Sequence, residues 1–298
     1  MNVRGAVGLP ADGARRLRPR PRMWTQAARV RRNPIGAAGA AIVLATVLVA
    51  LAGSLAWPVD YASQASRRLL PPGASHPLGT DELGRDELSR IIHGAQVSLQ
   101  VGMISVVIAL VAGTVIGIAA GFYGGTADAL LMRVVDVVFA FPGLVLAIVI
   151  AGLLGPSRTN AMVAIGIVYA PAFARVVRGS SLSVLGFPYV EAARSVGSSD
   201  LRIVRKHLLP NIMAPLIVLT TVYLSTAILT EAALSFLGLG TQPPEPSWGG
   251  MLNAARSYME RAPWLAVAPG LAIMMVVMGF NFLGDGLRDV LDPSLREV

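Results

Sequence analysis

Residues 191–210 read EAARSVGSSDLRIVRKHLLP. Long apolar runs flank them on both sides, yet the stretch itself carries Arg194, Arg202, Arg205 and Lys206 against Glu191 and Asp200. A segment this polar cannot lie in hydrocarbon, where every backbone group needs an internal partner and every charge is costly. It is therefore a loop at a membrane face. The loop is also patterned. Glu191-Ala192-Ala193 opens a short helix with small residues, Gly197 turns the chain, and Ser198-Ser199-Asp200 supplies cap residues for a second helix. That helix leads to Leu208-Leu209-Pro210, and a proline at the first turn of the next helix loses nothing by lacking an N–H. The expected shape is helix, glycine turn, helix, lying on the membrane surface, with a small-residue patch against which another protein packs closely.

Composition places the rest of the chain around this loop. Of 298 residues, 54% are hydrophobic and only 14% charged. Soluble domains average about 25% charged, so this is a membrane protein. There is no cysteine, which excludes disulfides and thiolate metal sites. The net charge of +8 does not signal nucleic-acid binding, because the cations sit where the positive-inside rule puts them. Six apolar runs are expected to span, at about 35–57, 96–121, 129–154, 160–177, 211–238 and 264–285. The first is about 34 Å long as a helix, enough to span and longer than a signal-peptide core, so it is a transmembrane helix closed by Trp57 at the interface. Six spans put both termini on one side. The basic segments 1–34, 122–133, 175–210 and 286–298 then share the cytoplasmic side, while 58–94, 155–160 and 239–262 share the outside. Residues 1–34, with nine arginines against Asp12, read as a basic cytoplasmic tail near anionic lipid, and 35–298 as one all-α, polytopic transmembrane domain.

Several positions inside the spans stand out. Gly113, Gly117 and Gly121 form a small-residue face for close helix contact. Arg133 and Asp136, three apart on one helix face, can pair, either as a structural pair near the cytoplasmic interface or as part of an inner gate. Pro142 is expected to kink or break the third span and Pro171 to interrupt the fourth. Glu231 lies late in the fifth span, where an acid needs a partner or a cavity; it either hydrogen-bonds across helices or meets a substrate amine. In the outer loop, Asp81, Glu82, Asp86 and Glu87 alternate with Arg85 and Arg90. This pattern favours surface ion pairs over a divalent-cation site, with a short amphipathic helix over 81–95. Trp248 and Gly249-Gly250 suit a tight turn at the outer interface.

Four motifs add a resemblance. EAA, three residues, Gly197, nine residues, His207, one residue and Leu209-Pro210 together resemble the EAA loop of bacterial ABC-importer permeases. The general pattern has Ile where this chain has His207; the dipeptide and oligopeptide branch often has His. HPLGTDELGRD (76–86), LSFLGLGTQPPEPSWG (234–249) and GDGLRDVLDP (284–293) resemble the C-type subunits of the dipeptide/oligopeptide/nickel branch. The resemblance covers roughly 35–298. It implies a type I importer permease fold with both termini cytoplasmic, in the plasma membrane of a bacterium. It also implies a B-type permease partner, two ATPase subunits or domains that bind the ATP and Mg, and an extracytoplasmic substrate-binding protein. The site residues it implies are Glu191, Ala192, Ala193 and Gly197 for ATPase docking, with Leu209 and Pro210 anchoring the loop to the fifth span. The expected cargo is dipeptides or oligopeptides, with nickel, haem or another non-peptide solute as the alternative.

The residues themselves supply no catalytic set. No GxxxxGK[ST] occurs, and the only lysine is Lys206, so ATP hydrolysis by this chain is not expected. No GxSxG occurs, and His76, His93 and His207 are scattered along the chain. An ion-coupled carrier would show midplane acids within inverted repeats, which the sequence lacks.

Overall fold

The computed structural model describes residues 33–64 and 66–291. The basic tail, apart from Asn33 and Pro34, lies outside them, as does the end of the C-terminal motif. Five helices are long and apolar enough to cross a membrane: α1 (Pro34–Ala56), α2 (Glu87–Tyr123), α5 (Arg158–Leu185), α7 (Asp200–Phe236) and α9 (Trp264–Leu291). Between α2 and α5 lie α3 (Gly125–Phe139) and α4 (Gly143–Leu154), and two short helices, α6 (Pro188–Ser195) and α8 (Trp248–Ala255), sit at the loops. The fold is all-helical among the described residues, apart from one isolated backbone bridge between Thr80 and Asp86.

Small residues decide the packing. A Cβ added to Gly117 would sit 2.5 Å from Ala174 O and 2.7 Å from Val177 Cβ of α5, and one on Gly121 would sit 2.8 Å from Ser181 Cβ. The four-residue glycine repeat of α2 is thus the seam with α5, as its spacing implied. The first span is seated the same way: a Cβ on Gly36 would meet Gly286 Cα of α9 at 2.9 Å. Asn33 caps α1, accepting from the amides of Ile35 and Gly36, and Pro34 occupies the first turn.

Two expectations about prolines are corrected. Pro171 does not interrupt the fourth span; α5 runs through it for 28 residues and on past Arg175 and Arg178 to Leu185. The third span, by contrast, is broken: α3 stops at Phe139, Pro142 precedes α4, and the two axes differ by 91°. With 12 residues, α4 is roughly 18 Å long, short of the ~30 Å hydrocarbon core. The pair nevertheless crosses. Asp128 near the start of α3 pairs with Arg178, while Asn160 Nδ2 donates to the carbonyls of Leu154 and Gly155 at 2.8 and 2.9 Å. Along α5 those two levels are about 27 Å apart, close to the hydrocarbon thickness, so α3 and α4 together form the sixth crossing.

Contacts fix the two faces. Helices α7 and α9 run antiparallel, so that the start of α7 points toward the end of α9: Ser225 Oγ donates to Asn281 Oδ1 at 2.8 Å and, one turn earlier in α7, Thr221 packs on Gly284. Asn33 Nδ2 donates to Asp289 Oδ2 at 2.7 Å, so α1 begins where α9 ends. One face therefore holds Asn33, the α2–α3 turn, the end of α5, all of α6, the start of α7 and Asp289. The opposite face holds residues 57–64 and 66–86, the α4–α5 turn and α8; Arg158 and Glu245 pair there at 2.7 Å. The expectation for 281–285 also shifts: Asn281 and Asp285 do not end the last span, since α9 continues to Leu291.

Candidate functional site

The segment around residue 191 is built on the first of these faces. Its helix, α6, has Pro188 in the first turn, where the missing N–H is harmless, and Glu191 close to the positive helix end. One residue, Val190, is buried and roots the helix in the bundle. Glu191 and Ala192 point outward and Ala193 is half-buried. The helix closes on Gly197: its N–H reaches Arg194 O at 2.9 Å, and Ser198 N reaches Ala193 O at 3.0 Å. These 5→2 and 6→1 bonds form a Schellman cap, which needs a left-handed residue, and Gly197 has φ +79°. The glycine is thus demanded by the backbone; a Cβ there would meet nothing within 4 Å.

After Gly197 the chain does not form a separate second short helix. From Asp200 it is one 37-residue helix, about 55 Å long, that becomes the fifth span. Residues Val204–Leu208 form a π turn, with Leu209 N bonded to Val204 O. Pro210 follows at once; lacking an N–H, it cannot extend the ordinary ladder, and Asn211 Nδ2 instead donates to His207 O at 2.5 Å. His207 lies against Tyr189, with ring centroids 5.7 Å apart, which joins α6 to α7. Arg194 stacks over the ring of Phe122 at 5.2 Å, joining α6 to α2.

The anchor is corrected. Pro210 is exposed and Leu209 half-buried, whereas Ile203 and Leu208 are fully buried. Helical phase explains this: Ile203, Leu208 and Ile212 share the inward side of α7, and Pro210 falls on the outward side. The outward surface is also more apolar than the small-residue motif suggests. Val196 is 82% exposed and Leu201 65%, with Phe187 and Tyr189 beside them. An apolar residue next to a glycine turn on a polar loop is the sequence signal for these.

The other candidate residues lie apart. Asp136 does not pair with Arg133. It pairs with Arg175 of α5 at 2.7 Å, and Arg175 also lies 4.0 Å above the Phe139 ring. Arg133 makes no salt bridge among the described residues. With Asp128 gripping Arg178 through two nitrogens, two acids of α3 hold two arginines of α5 on the face that carries α6. Glu231 is buried: it is 1% exposed and accepts a 2.7 Å bond from Ser235 one turn on. That removes it from the surface a solute would contact in this structure.

The loop over 58–94, expected outside, departs furthest from expectation. Asp81, Arg85, Asp86, Glu87 and Arg90 are all buried, so the ion pairs are not surface pairs. Arg85 bonds Asp81 and Glu82, and Arg90 lies 3.4 Å from Asp81. The helix begins at Glu87, with Asp86 as its cap, rather than at 81. Ser66, outside the 76–86 motif, meets that motif's two end residues, His76 and Asp86, in a relay: Ser66 Oγ to His76 Nε2 is 2.9 Å and His76 Nδ1 to Asp86 Oδ1 is 2.8 Å. Trp57 Nε1 and Ser89 N donate to the other carboxylate oxygen at 2.9 and 2.8 Å. Both oxygens of Asp86 are thus taken, and the relay clasps the end of α1 and the loop to the start of α2. Trp248 is likewise no interfacial turn residue. It starts α8, is buried, and donates from Nε1 to Ile91 O at 3.1 Å.

Residues 113–297 match the family described as binding-protein-dependent transport system inner membrane component. The chain belongs to that family. It is 45% identical over 275 residues to a dipeptide transport system permease protein, DppC, of Alkalihalophilus pseudofirmus, covering 92% of this chain and 90% of that protein. It is 48% identical over 225 residues to the glutathione transport system permease protein GsiD of Pectobacterium atrosepticum, covering 76% and 75%. A di/tripeptide transport system permease protein of Pseudomonas aeruginosa is 47% identical over 267 residues. Among solved structures, inward-facing MetNI methionine ABC transporter matches with a TM-score of 0.55 at 21% identity, covering 67% of this chain and 96% of that one. That likeness concerns the fold, which is the expected importer-permease fold. The chain is a multi-pass inner-membrane component of a bacterial ABC transport system.

Proposed function

We propose that this chain is the C-type permease half of an importer for short peptides, with α6 and the Gly197 turn as the element that meets a cytoplasmic ATPase. The cargo reading rests on relatives named for dipeptide, di/tripeptide and glutathione transport, all short peptides. Nickel, haem or another non-peptide solute is the alternative. The remaining partners are a B-type permease, a second ATPase and an extracytoplasmic binding protein, and the face carrying α6, with both ends of the described chain, is the cytoplasmic one.

One observation carries the mechanism: an exposed eight-residue helix is capped rigidly onto a helix that runs without interruption through the membrane. ATP held by the partner pair supplies the energy. An ATPase can bias this chain only by binding its two conformations unequally. A force on Glu191, Ala192 and Val196 enters α7 through the Gly197 cap and the buried Ile203 and Leu208. It is then carried the length of α7 to the opposite face. The Asp128–Arg178 and Asp136–Arg175 pairs tie α3 to the same end of α5, so the broken third crossing moves with it. The test is Gly197→Arg in the complete transporter. The variant should insert normally, lose uptake, and hydrolyse ATP without responding to the binding protein. Normal uptake would remove α6 from the coupling path.

A further inference from the structure

We propose that the start of α7 holds a binding site for an anionic phospholipid headgroup. Ser199, Leu201, Arg202, Arg205 and Lys206 line an open groove of about 490 Å³. None of its three cations has a carboxylate within salt-bridge distance among the described residues. This contrasts with the arginines of the same face on α5, each of which is paired. Helical phase separates the groove from the nearest acid: at about 100° per residue, Asp200 falls on roughly the opposite side of the helix from the centre of the Arg202–Arg205–Lys206 face. Ser199 precedes the first turn, and its hydroxyl caps no amide there, so it is free to donate to an anion.

Depth selects a lipid over a soluble anion or an acidic protein surface. Lys206 lies one turn before Pro210, from which α7 is largely apolar, so its backbone position is about 6 Å along the helix from the apolar run. The same face continues as Met213 and Ile217, both exposed. A helix face that reads cation, cation, cation and then exposed methionine and isoleucine matches the passage from phosphate to acyl chain. Leu201, largely exposed in the same groove, adds an apolar contact. Clusters of this kind just inside a membrane gain about fivefold in affinity per cation for anionic lipid. The site lies on the helix that we assign to coupling but does not depend on transport, so either reading can fail alone.

The test uses the full-length chain in neutral detergent. Short-chain phosphatidylglycerol and phosphatidylcholine of equal acyl length are titrated in turn, with bound lipid counted by native mass spectrometry. The wild type should prefer phosphatidylglycerol by tenfold or more, and added salt should weaken that preference. R202Q/R205Q/K206Q should lower phosphatidylglycerol affinity, by up to about 100-fold for three cations. R202K/R205K should retain most of it, and R67Q/R68Q, on the opposite face, should change nothing. Equal affinity for the two lipids overturns the proposal, as does a phosphatidylglycerol affinity that the triple substitution leaves unchanged. Inorganic phosphate competing as well as the lipid would mark a soluble-anion site instead. Loss of a copurifying ATPase from the triple variant in lipid-free detergent, with lipid binding intact, would assign the groove to protein.

Discussion

Replacing Gly197 by a series of residues separates two reasons for a glycine in the α6–α7 turn. The residue sits at φ +79° as the left-handed member of a Schellman cap, and a Cβ there meets no atom of this chain within 4 Å. Alanine therefore adds no clash, only the cost of the left-handed conformation, roughly 1–2 kcal/mol. That shifts the balance between capped and frayed lever by about 5–30-fold. Asparagine tolerates this conformation better, yet its side chain is larger. The assay is the complete transporter in proteoliposomes, scored as solute imported per ATP hydrolysed with binding protein present. If the cap transmits force, Gly197→Ala should lose coupling by up to that factor, Gly197→Asn should keep most of it, and Gly197→Arg should lose it entirely. The bundle should still insert in each case, because fraying an exposed turn is separate from unfolding the core. Wild-type coupling in the alanine variant would refute the backbone argument. An asparagine variant as poor as the arginine one would show that a partner's close approach, not the turn geometry, demands the glycine.

Three further substitutions, two of them with a control beside them, test the fold that carries α6. Leu208→Ala should lower stability in detergent by about 2–5 kcal/mol, since the side chain is fully buried, whereas Pro210→Ala should stay within about 0.5 kcal/mol; equal losses would restore Pro210 as the anchor. Gly113→Leu should block the α2–α5 seam, because even a Cβ there would overlap Phe173 Cβ and the carbonyl of Ala170, while Gly152→Ala, with open space around it, should be silent. Overpacking of this kind costs typically about 1–3 kcal/mol or more, read as a lower melting temperature or reduced yield of folded protein. Trp57→Phe removes a donor from the buried Asp86 carboxylate and should cost about 1–3 kcal/mol, visible as earlier thermal unfolding; an unchanged melting curve would mean that the outer clasp contributes nothing.

What could be read from the sequence follows from which constraints are local. Hydrocarbon forces long apolar helices, so the spans could be counted, and a glycine every fourth residue marks one helix face, so the α2–α5 seam could be located. The cap at Gly197 is local too, and the residues around it folded as expected up to Ser199. Pairing of charges is not local. Asp136 finds Arg175 across 39 positions rather than Arg133 across three, because the helix pair brings them together and propensity has no say in it. Burial of the 81–90 charges could not be foreseen for a related reason. Alternating acids and bases look the same along the chain whether water or a folded loop surrounds them. Here residues 57–80 wrap over them, and Thr80 bridges to Asp86. Pro142 announced a break, but its 91° angle depends on where α5 and the Asp128–Arg178 pair hold the two halves.

The break at Pro142 also bears on how a lever at one face can reach the other. A straight third helix would connect the faces independently of α7. Broken as it is, α4 is too short to span alone, and α3 is held to α5 by two acid–arginine pairs at the face bearing α6. The end of α5 leads, through Gly186 and Phe187, directly into α6. A displacement of α6 therefore pulls on α5 behind it and α7 ahead of it, while α3 follows α5 through its ion pairs. The opposite face resists, since Asp86 clasps Trp57, His76 and Ser89 there and Trp248 is locked to Ile91. On the coupling role proposed for α6, one end of the bundle is tied to that helix and the other to a buried polar cap, so the expected motion between them is a tilt about the Asp86 clasp rather than a translation of the whole domain.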